Sequence, residues 1–192
     1  MNSGDETVRA SIRASIAVKT SLLEDELIVQ QLSAVAWKIV YSIRSGGKLM
    51  LMGNGGSAAD AQHLAAELTG RYLLERTPWP ALCLHANGSA VTAIANDYGY
   101  DLVFARQLEA LGKPGDVAIG ISTSGNSANV LRALEVASRK GIVRIGMTGR
   151  SGGKMVQATE LCMRVPSDET PRIQECHILL GHVICELVEK WM

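Results

Sequence analysis

Hydrophobic and polar positions follow two rhythms along this chain. Ile28, Leu32, Val35, Ala36, Ile39, Val40 and Ile43 recur at steps of three and four, the spacing of one helical face, and Ser45-Gly46-Gly47 ends the run. Residues from about 5 to 45 therefore read as two amphipathic helices, able to cover a sheet face or to pair with another subunit. Beyond them the apolar positions gather in short, largely apolar runs at 48–52, 80–84, 117–121, 143–147 and 161–165, the signature of buried strands. Helical stretches lie between: one after Ser57, a short one over 90–95, one ending at Leu111 and one over 129–140. The segment Asn96-Asp97-Tyr98-Gly99-Tyr100 is polar and turn-rich. Thr170 and Pro171 supply an N-cap and a first-turn proline for a last helix reaching about Trp191. Alternation of this kind predicts an α/β fold with a five-stranded parallel sheet, right-handed crossovers and an N-terminal helical extension. A single domain spans 1–192, with helices over about 1–45 and the sheet core and closing helix over about 46–192.

Composition narrows the function. At 192 residues and 47% hydrophobic, the chain can bury one substantial core. Lys+Arg and Asp+Glu both number 19, so no net field favours nucleic acid or an acidic membrane, and 4% aromatic residues leave little for base stacking. Cys83, Cys162, Cys176 and Cys185 show no CxxC spacing and lie in apolar runs, as reduced cysteines of a cytosolic protein do. Asp5, Glu6 and Arg9 interrupt any apolar leader and no run reaches membrane-spanning length, so a cytoplasmic protein is expected.

The chemistry gathers after the first strand. Gly53-Asn54-Gly55-Gly56-Ser57 breaks the apolar run and opens a helix, with Ser57 and Asp60 in capping-box spacing. Glycines expose backbone N–H groups there, and a helix N-terminus adds partial positive charge, so the loop suits an anion or a polar substrate. One turn on, His63 and Glu67 share a helical face. They form a metal-ligand or acid/base pair, or in the plainer reading a surface hydrogen bond. Ser122-Thr123-Ser124-Gly125-Asn126-Ser127, just before another helix, offers four hydroxyls to a phosphate. The Lys and the GK[ST] ending of a P-loop are missing, which argues against an NTPase.

The last helix carries Gln174, Glu175, His177 and His182 among Ile173, Cys176, Ile178, Leu179, Leu180, Val183 and Ile184, an apolar density that marks it as buried. At about 100° per residue, Glu175 and His182 stand about 20° apart and Gln174 and His182 about 80° apart. That leaves open which of them meet His63 and Glu67. Tyr98 and Tyr100 read as packing, Lys154 as a solvated lysine, and His85 as a strand-edge histidine with a weak claim to the ligand.

Gly53 to His63, the run Glu67-Leu68-Thr69-Gly70-Arg71-Tyr72, Ala95-Asn96-Asp97-Tyr98-Gly99, Gly120 to Ser127, and Arg172-Ile173-Gln174-Glu175 with His177 and His182 together resemble the bacterial sedoheptulose-7-phosphate isomerases, or phosphoheptose isomerases. The likeness runs from near Ile28 to the C-terminus. It implies the sugar-isomerase (SIS) fold, a flavodoxin-like three-layer sandwich, and conversion of D-sedoheptulose 7-phosphate to D-glycero-D-manno-heptose 7-phosphate. It further implies one zinc ion per subunit on His63, Glu67, Gln174 and His182, with Glu67 and His182 as the catalytic pair. Substrate contacts are implied at Asn54, Gly55, Gly56, Glu67, Asn96, Asp97, Ser122, Thr123, Ser124, Ser127 and Gln174, in a homotetramer with sites between subunits. Two alternatives stand beside this reading. One is a non-catalytic replication-initiator-associating protein of the same fold, disfavoured by the presence of Glu67, His182 and Gly55-Gly56. The other is an isomerase or sensor of another phosphosugar, with Asn87-Gly88 a departure that bears on sugar specificity.

Overall fold

The five apolar runs become β1 (Leu49–Gly53), β2 (Ala81–Cys83), β3 (Val117–Ile121), β4 (Val143–Thr148) and β5 (Leu161–Arg164) in a computed structural model that describes residues 3–192. They form one sheet in the order β2-β1-β3-β4-β5, parallel throughout. Every residue of β1 and β3 is buried, which is why these runs show no polar alternation. From β1 the chain steps outward to β2, then returns to lay β3 on the other side of β1. Loops leaving the carboxyl ends of β1 and β3 therefore diverge around a crevice, the place where open α/β sheets bind ligands. The register Gly53↔Ile121 makes the two ends level, so Asn54 and Ser122 open neighbouring loops.

Helices cover both faces. α1 (Ser3–Leu23), α2 (Glu26–Arg44), α3 (Gly56–Thr69) and α8 (Thr170–Trp191) lie on one side; α4 (Gly88–Tyr98), α5 (Val103–Leu111), α6 (Ala128–Arg139) and the short α7 (Met155–Ala158) lie on the other. β1 shows how one strand serves both layers: Leu49 and Leu51 join the core under α2, α3 and α8, whereas Met50 and Met52 join the core under α5 and α6. The α/β class, the five parallel strands and the N-terminal helices agree with expectation.

Three local expectations are corrected. The helix expected over 90–95 runs from Gly88 to Tyr98, because the Asn87 side chain caps it by accepting from Ala90 N, so Asn96 and Asp97 ride its last turn instead of a loop. Ser57 and Asp60 form no capping box: Gly55 takes the N-cap with φ 56° and Ser57 is already inside the helix. At α8 the N-cap is Glu169, one residue before Thr170, and Ser167 Oγ turns the chain inward by accepting from Glu169 N at 3.1 Å.

Candidate active site

The loop from β1 to α3 is shaped by what stands opposite it. A Cβ on Gly56 would overlap the Gln174 carboxamide, so the bare backbone lets that amide of α8 lie directly on the loop. No side chain caps the first turn of α3. Beside it, Asn54 and Asn129 form a reciprocal amide pair: Asn54 Nδ2 donates to Asn129 Oδ1 at 2.9 Å, and Asn129 Nδ2 donates to Asn54 Oδ1 at 2.8 Å. Tyr100 adds its hydroxyl, which donates to Asn54 Oδ1 at 3.2 Å. Tyr100 is thus no packing residue. It is 55% exposed and reaches across to the loop, and Tyr98, also exposed, lies under the Arg106 guanidinium 3.8 Å from its ring centre.

The loop after β3 gathers hydroxyls. Ser122 Oγ lies 2.8 Å from Ser127 Oγ and 3.5 Å from Ser124 Oγ. Ser127 is the N-cap of α6, yet its hydroxyl makes no cap bond and faces Ser122 instead. Three hydroxyls at a helix N-terminus suit a phosphate's acceptor oxygens. Thr123 and Ser124 also border a cleft of about 170 Å³ shared with Gly149, Arg150, Ser151, Ser167, Asp168 and Thr170.

A third group sits farther along α3 and α8. His63 Nε2 lies 3.0 Å from Glu67 Oε1 and 2.9 Å from His182 Nε2. Donor atoms of His63, Glu67 and His182 all lie within 4.8 Å of one another, a set that could hold a metal ion. Two imidazoles and a carboxylate are a donor set that zinc accepts, and tetrahedral bonds of about 2.0–2.2 Å need donor separations of about 3.3–3.6 Å, a few tenths of an ångström more than the two short contacts here. The Tyr72 ring packs on His182 with centroids 5.6 Å apart. Asp60, one turn before His63, has a buried Oδ2 with no hydrogen-bond partner. Burial pushes its carboxyl up to about 6, against the opposing pull of His63.

Of the four residues that the resemblance assigns to the metal, His63, Glu67 and His182 meet in one protomer. Gln174 stands two turns earlier on α8 (about 12 Å of helical rise) over Gly56. Asn96 and Asp97 are exposed on α4, where Asn96 Nδ2 donates to Asp97 Oδ1 at 2.8 Å. His85 is half-buried at the end of β2, with its Nδ1 3.0 Å from Cys83 Sγ. Burial lowers its pKa, and a backbone hydrogen bond at Ala58 works against that. Lys154 is exposed, as expected.

Comparison with known proteins identifies the family. The SIS domain family model matches residues 14–149. A phosphoheptose isomerase of Aneurinibacillus thermoaerophilus is 50% identical over 186 residues, 97% of this chain and 94% of that one. The solved phosphoheptose isomerase of Neisseria gonorrhoeae superposes with a TM-score of 0.91 at 42% identity, covering 97% of this chain and 98% of that one. That of Francisella tularensis gives 0.93 at 34% identity, covering 99% and 100%. The chain belongs to the phosphoheptose isomerase family.

Membership makes the protein an isomerase acting on a phosphorylated heptose. Sequence reading of this phosphoheptose isomerase missed four residues around the three clusters: Tyr100, Asn129, Arg76 and Glu189. Glu189 carried a readable signal, since it is a carboxylate on the apolar helix α8 seven residues after His182, and a buried charge there needs partners. Asn129 and Tyr100 gave none, because an amide at a helix start and a tyrosine opening a single 3-10 turn are ordinary.

Proposed function

We propose that the protein converts D-sedoheptulose 7-phosphate to D-glycero-D-manno-heptose 7-phosphate, with Glu67 and His182 moving the protons. The observation that carries this reading is the meeting of His63 and Glu67, on the helix that follows the glycine loop, with His182 of α8, beside the Ser122/Ser124/Ser127 hydroxyls on the neighbouring loop. A phosphosugar laid across the crevice would bind its phosphate at Ser122, Thr123, Ser124 and Ser127. Its hydroxyls would meet Asn54, Gly55, Gly56 and Gln174, and its reactive end the His/Glu cluster.

Ketose–aldose isomerisation takes a proton from C1 and returns one to C2, while a proton passes between the two oxygens. Glu67, 19% exposed at its side chain, is the base for the carbon-bound proton. His182, with its ring held between His63 and Tyr72, serves the oxygens. We assign zinc, one ion per subunit, to His63, Glu67 and His182; Gln174, about 12 Å of helical rise from His182 within one protomer, would be the fourth ligand only across a subunit boundary. When bound, the ion would polarise the sugar carbonyl and favour negative charge on its oxygen. A carboxylate held by a metal is a weaker base, so either Glu67 would leave the ion during turnover or His182 would carry more of the proton transfer.

A homotetramer with sites between subunits accounts for two further features. Val8, Ile12 and Ile16 form an i, i+4, i+8 stripe on α1 that is more than half exposed, and Trp37 and Tyr41 on α2 are exposed too. Asn96 and Asp97 would then meet substrate with a neighbouring subunit's help. Four unpaired cysteines fit a cytoplasmic setting, and no helix among the described residues is long and apolar enough to cross a membrane.

The test is incubation of the purified protein with sedoheptulose 7-phosphate, before and after chelation and zinc restoration, with metal content measured alongside. Formation of the aldose that chelation abolishes and zinc restores supports the whole reading. Full activity in metal-free protein removes the metal role. Silence toward the sugar, together with capture of a replication initiator protein, would reassign the chain to a binding role.

A further inference from the structure

Below the His/Glu cluster lies an ion pair that the reaction does not touch. Arg76 Nε and Glu189 Oε1 are 3.0 Å apart, with side chains only 11% and 3% exposed. Arg76 donates onward to the end of α3, which carries Glu67, and to the Thr77 carbonyl, while Glu189 holds the loop whose Tyr72 packs on His182. Arg76 donates to the carbonyls of Glu67 at 2.8 Å, Leu68 at 3.0 Å and Gly70 at 3.3 Å, the exposed carbonyl end of α3, and lies 3.6 Å above the Trp79 ring. Glu189 accepts from the backbone N–H groups of Tyr72 at 3.1 Å, Leu73 at 2.9 Å and Leu74 at 3.1 Å. Tyr72 in turn sets its ring against His182, which lies two turns before Glu189 on the same face of α8.

We propose that Arg76 and Glu189 are positioning residues for the isomerase site: the pair ties the end of α3, with Glu67, to α8, with His182, through the loop that bears Tyr72. A buried ion pair is a poor source of net stability compared with apolar packing of the same volume. Here it fixes where two side chains stand that must meet within about 3 Å. Burial alone would raise the Glu189 carboxyl, but the N–H groups of Leu73, Tyr72 and Leu74 and the Arg76 guanidinium outweigh it and hold the pKa below its ordinary value, so the group stays an acceptor. Partners lying just outside a metal's ligands orient them in this way, and their loss costs affinity or rate without removing a ligand.

The activity arm of the test rests on the proposed reaction; the other arms do not. Glu189→Gln keeps the volume but turns an amide N–H toward backbone donors, whereas Tyr72→Leu leaves the ion pair whole and removes only the ring beside His182. Expected for both, in protein whose circular dichroism matches wild type, is a fall of about 10- to 100-fold in kcat with KM for sedoheptulose 7-phosphate little changed. Zinc affinity, read by competition with a chromophoric chelator, should weaken about tenfold or more in Glu189→Gln. In metal-free Glu189→Gln the His182 imidazole resonances should move as well. A wild type that does not isomerise, with variants that nevertheless bind zinc more weakly, would remove the proposed reaction and leave the positioning role standing. Folded variants with wild-type kcat, zinc affinity and His182 resonances, changed only in Tm, would overturn it. Should Glu189→Gln fail to fold, the kcat of Tyr72→Leu decides the question.

Discussion

His63 and His182 present their Nε2 atoms 2.9 Å apart across 119 residues of chain. The rings meet edge to face, with centroids 5.1 Å apart and planes at 68°. Such closeness requires α3 and α8 to pack with little between them, and Gly181 supplies the room. A Cβ there would stand 2.5 Å from Leu64 Cδ1.

Gly181→Ala should therefore push the two helices apart. Overpacking of this kind costs about 1–3 kcal/mol, measurable by chemical denaturation, and should lower metal affinity by separating His63 from His182. Adding Leu64→Ala should make the double variant less destabilised than the sum of the single changes, because the two side chains compete for one space. Strict additivity would show that the close approach is not what Gly181 provides.

Ser122 is buried and shares its hydroxyl with Ser127, so Ser122→Ala removes one donor from the loop proposed to bind phosphate without opening it to water. A hydrogen bond to a charged group contributes about 1.5–3 kcal/mol. KM for the phosphosugar should rise about tenfold or more, with kcat affected less, in steady-state kinetics. The same change should weaken inhibition by inorganic phosphate.

Tyr100→Phe tests the loop brace. Losing one neutral hydrogen bond costs about 1 kcal/mol. The Asn54 carboxamide would keep Asn129 as partner but lose the hydroxyl, and KM should rise severalfold with Tm nearly unchanged. An unaltered KM would return Tyr100 to a packing role.

His177 is fully buried, its Nε2 lies 3.2 Å from the Thr148 carbonyl, and its Nδ1 has no partner. Burial drives its pKa down to about 4, against the weaker opposing effect of the Thr148 bond. The unfolded chain, near an ordinary value of about 6.5, binds a proton that the folded protein refuses between these limits. Stability is thus whole above about pH 6.5 and declines as pH falls toward 4, by roughly 3 kcal/mol from this group. Denaturation at a series of pH values should show that decline in wild type and a shallower one in His177→Gln.

Much of this was legible in the chain. Strands buried on both faces appear as unbroken apolar runs, and the i, i+4 spacing of His63 and Glu67 places them on one helical face whatever the packing. Cap positions were misread because Gly55 and Glu169, neither of which makes a side-chain cap bond, take the N-caps in place of the better-suited Ser57 and Thr170. Angular spacing on α8 gave no depth along the helix, so it could not separate His182, which meets the α3 pair, from Gln174, which meets Gly56. Contacts such as Tyr100 to Asn54 and Arg76 to Glu189 join segments 46 and 113 residues apart, and only the folded crossovers bring them together.

The decisive measurement is the rate at which Glu67→Gln turns over sedoheptulose 7-phosphate in D2O, followed by NMR beside wild type. Positioned acid–base catalysis contributes about 10²–10⁴-fold, so the variant should lose at least about a hundredfold in kcat while wild type forms the aldose with solvent deuterium at C2. A folded Glu67→Gln protein that makes the same product at close to the wild-type rate would contradict the assignment of proton transfer to the His63/Glu67/His182 cluster.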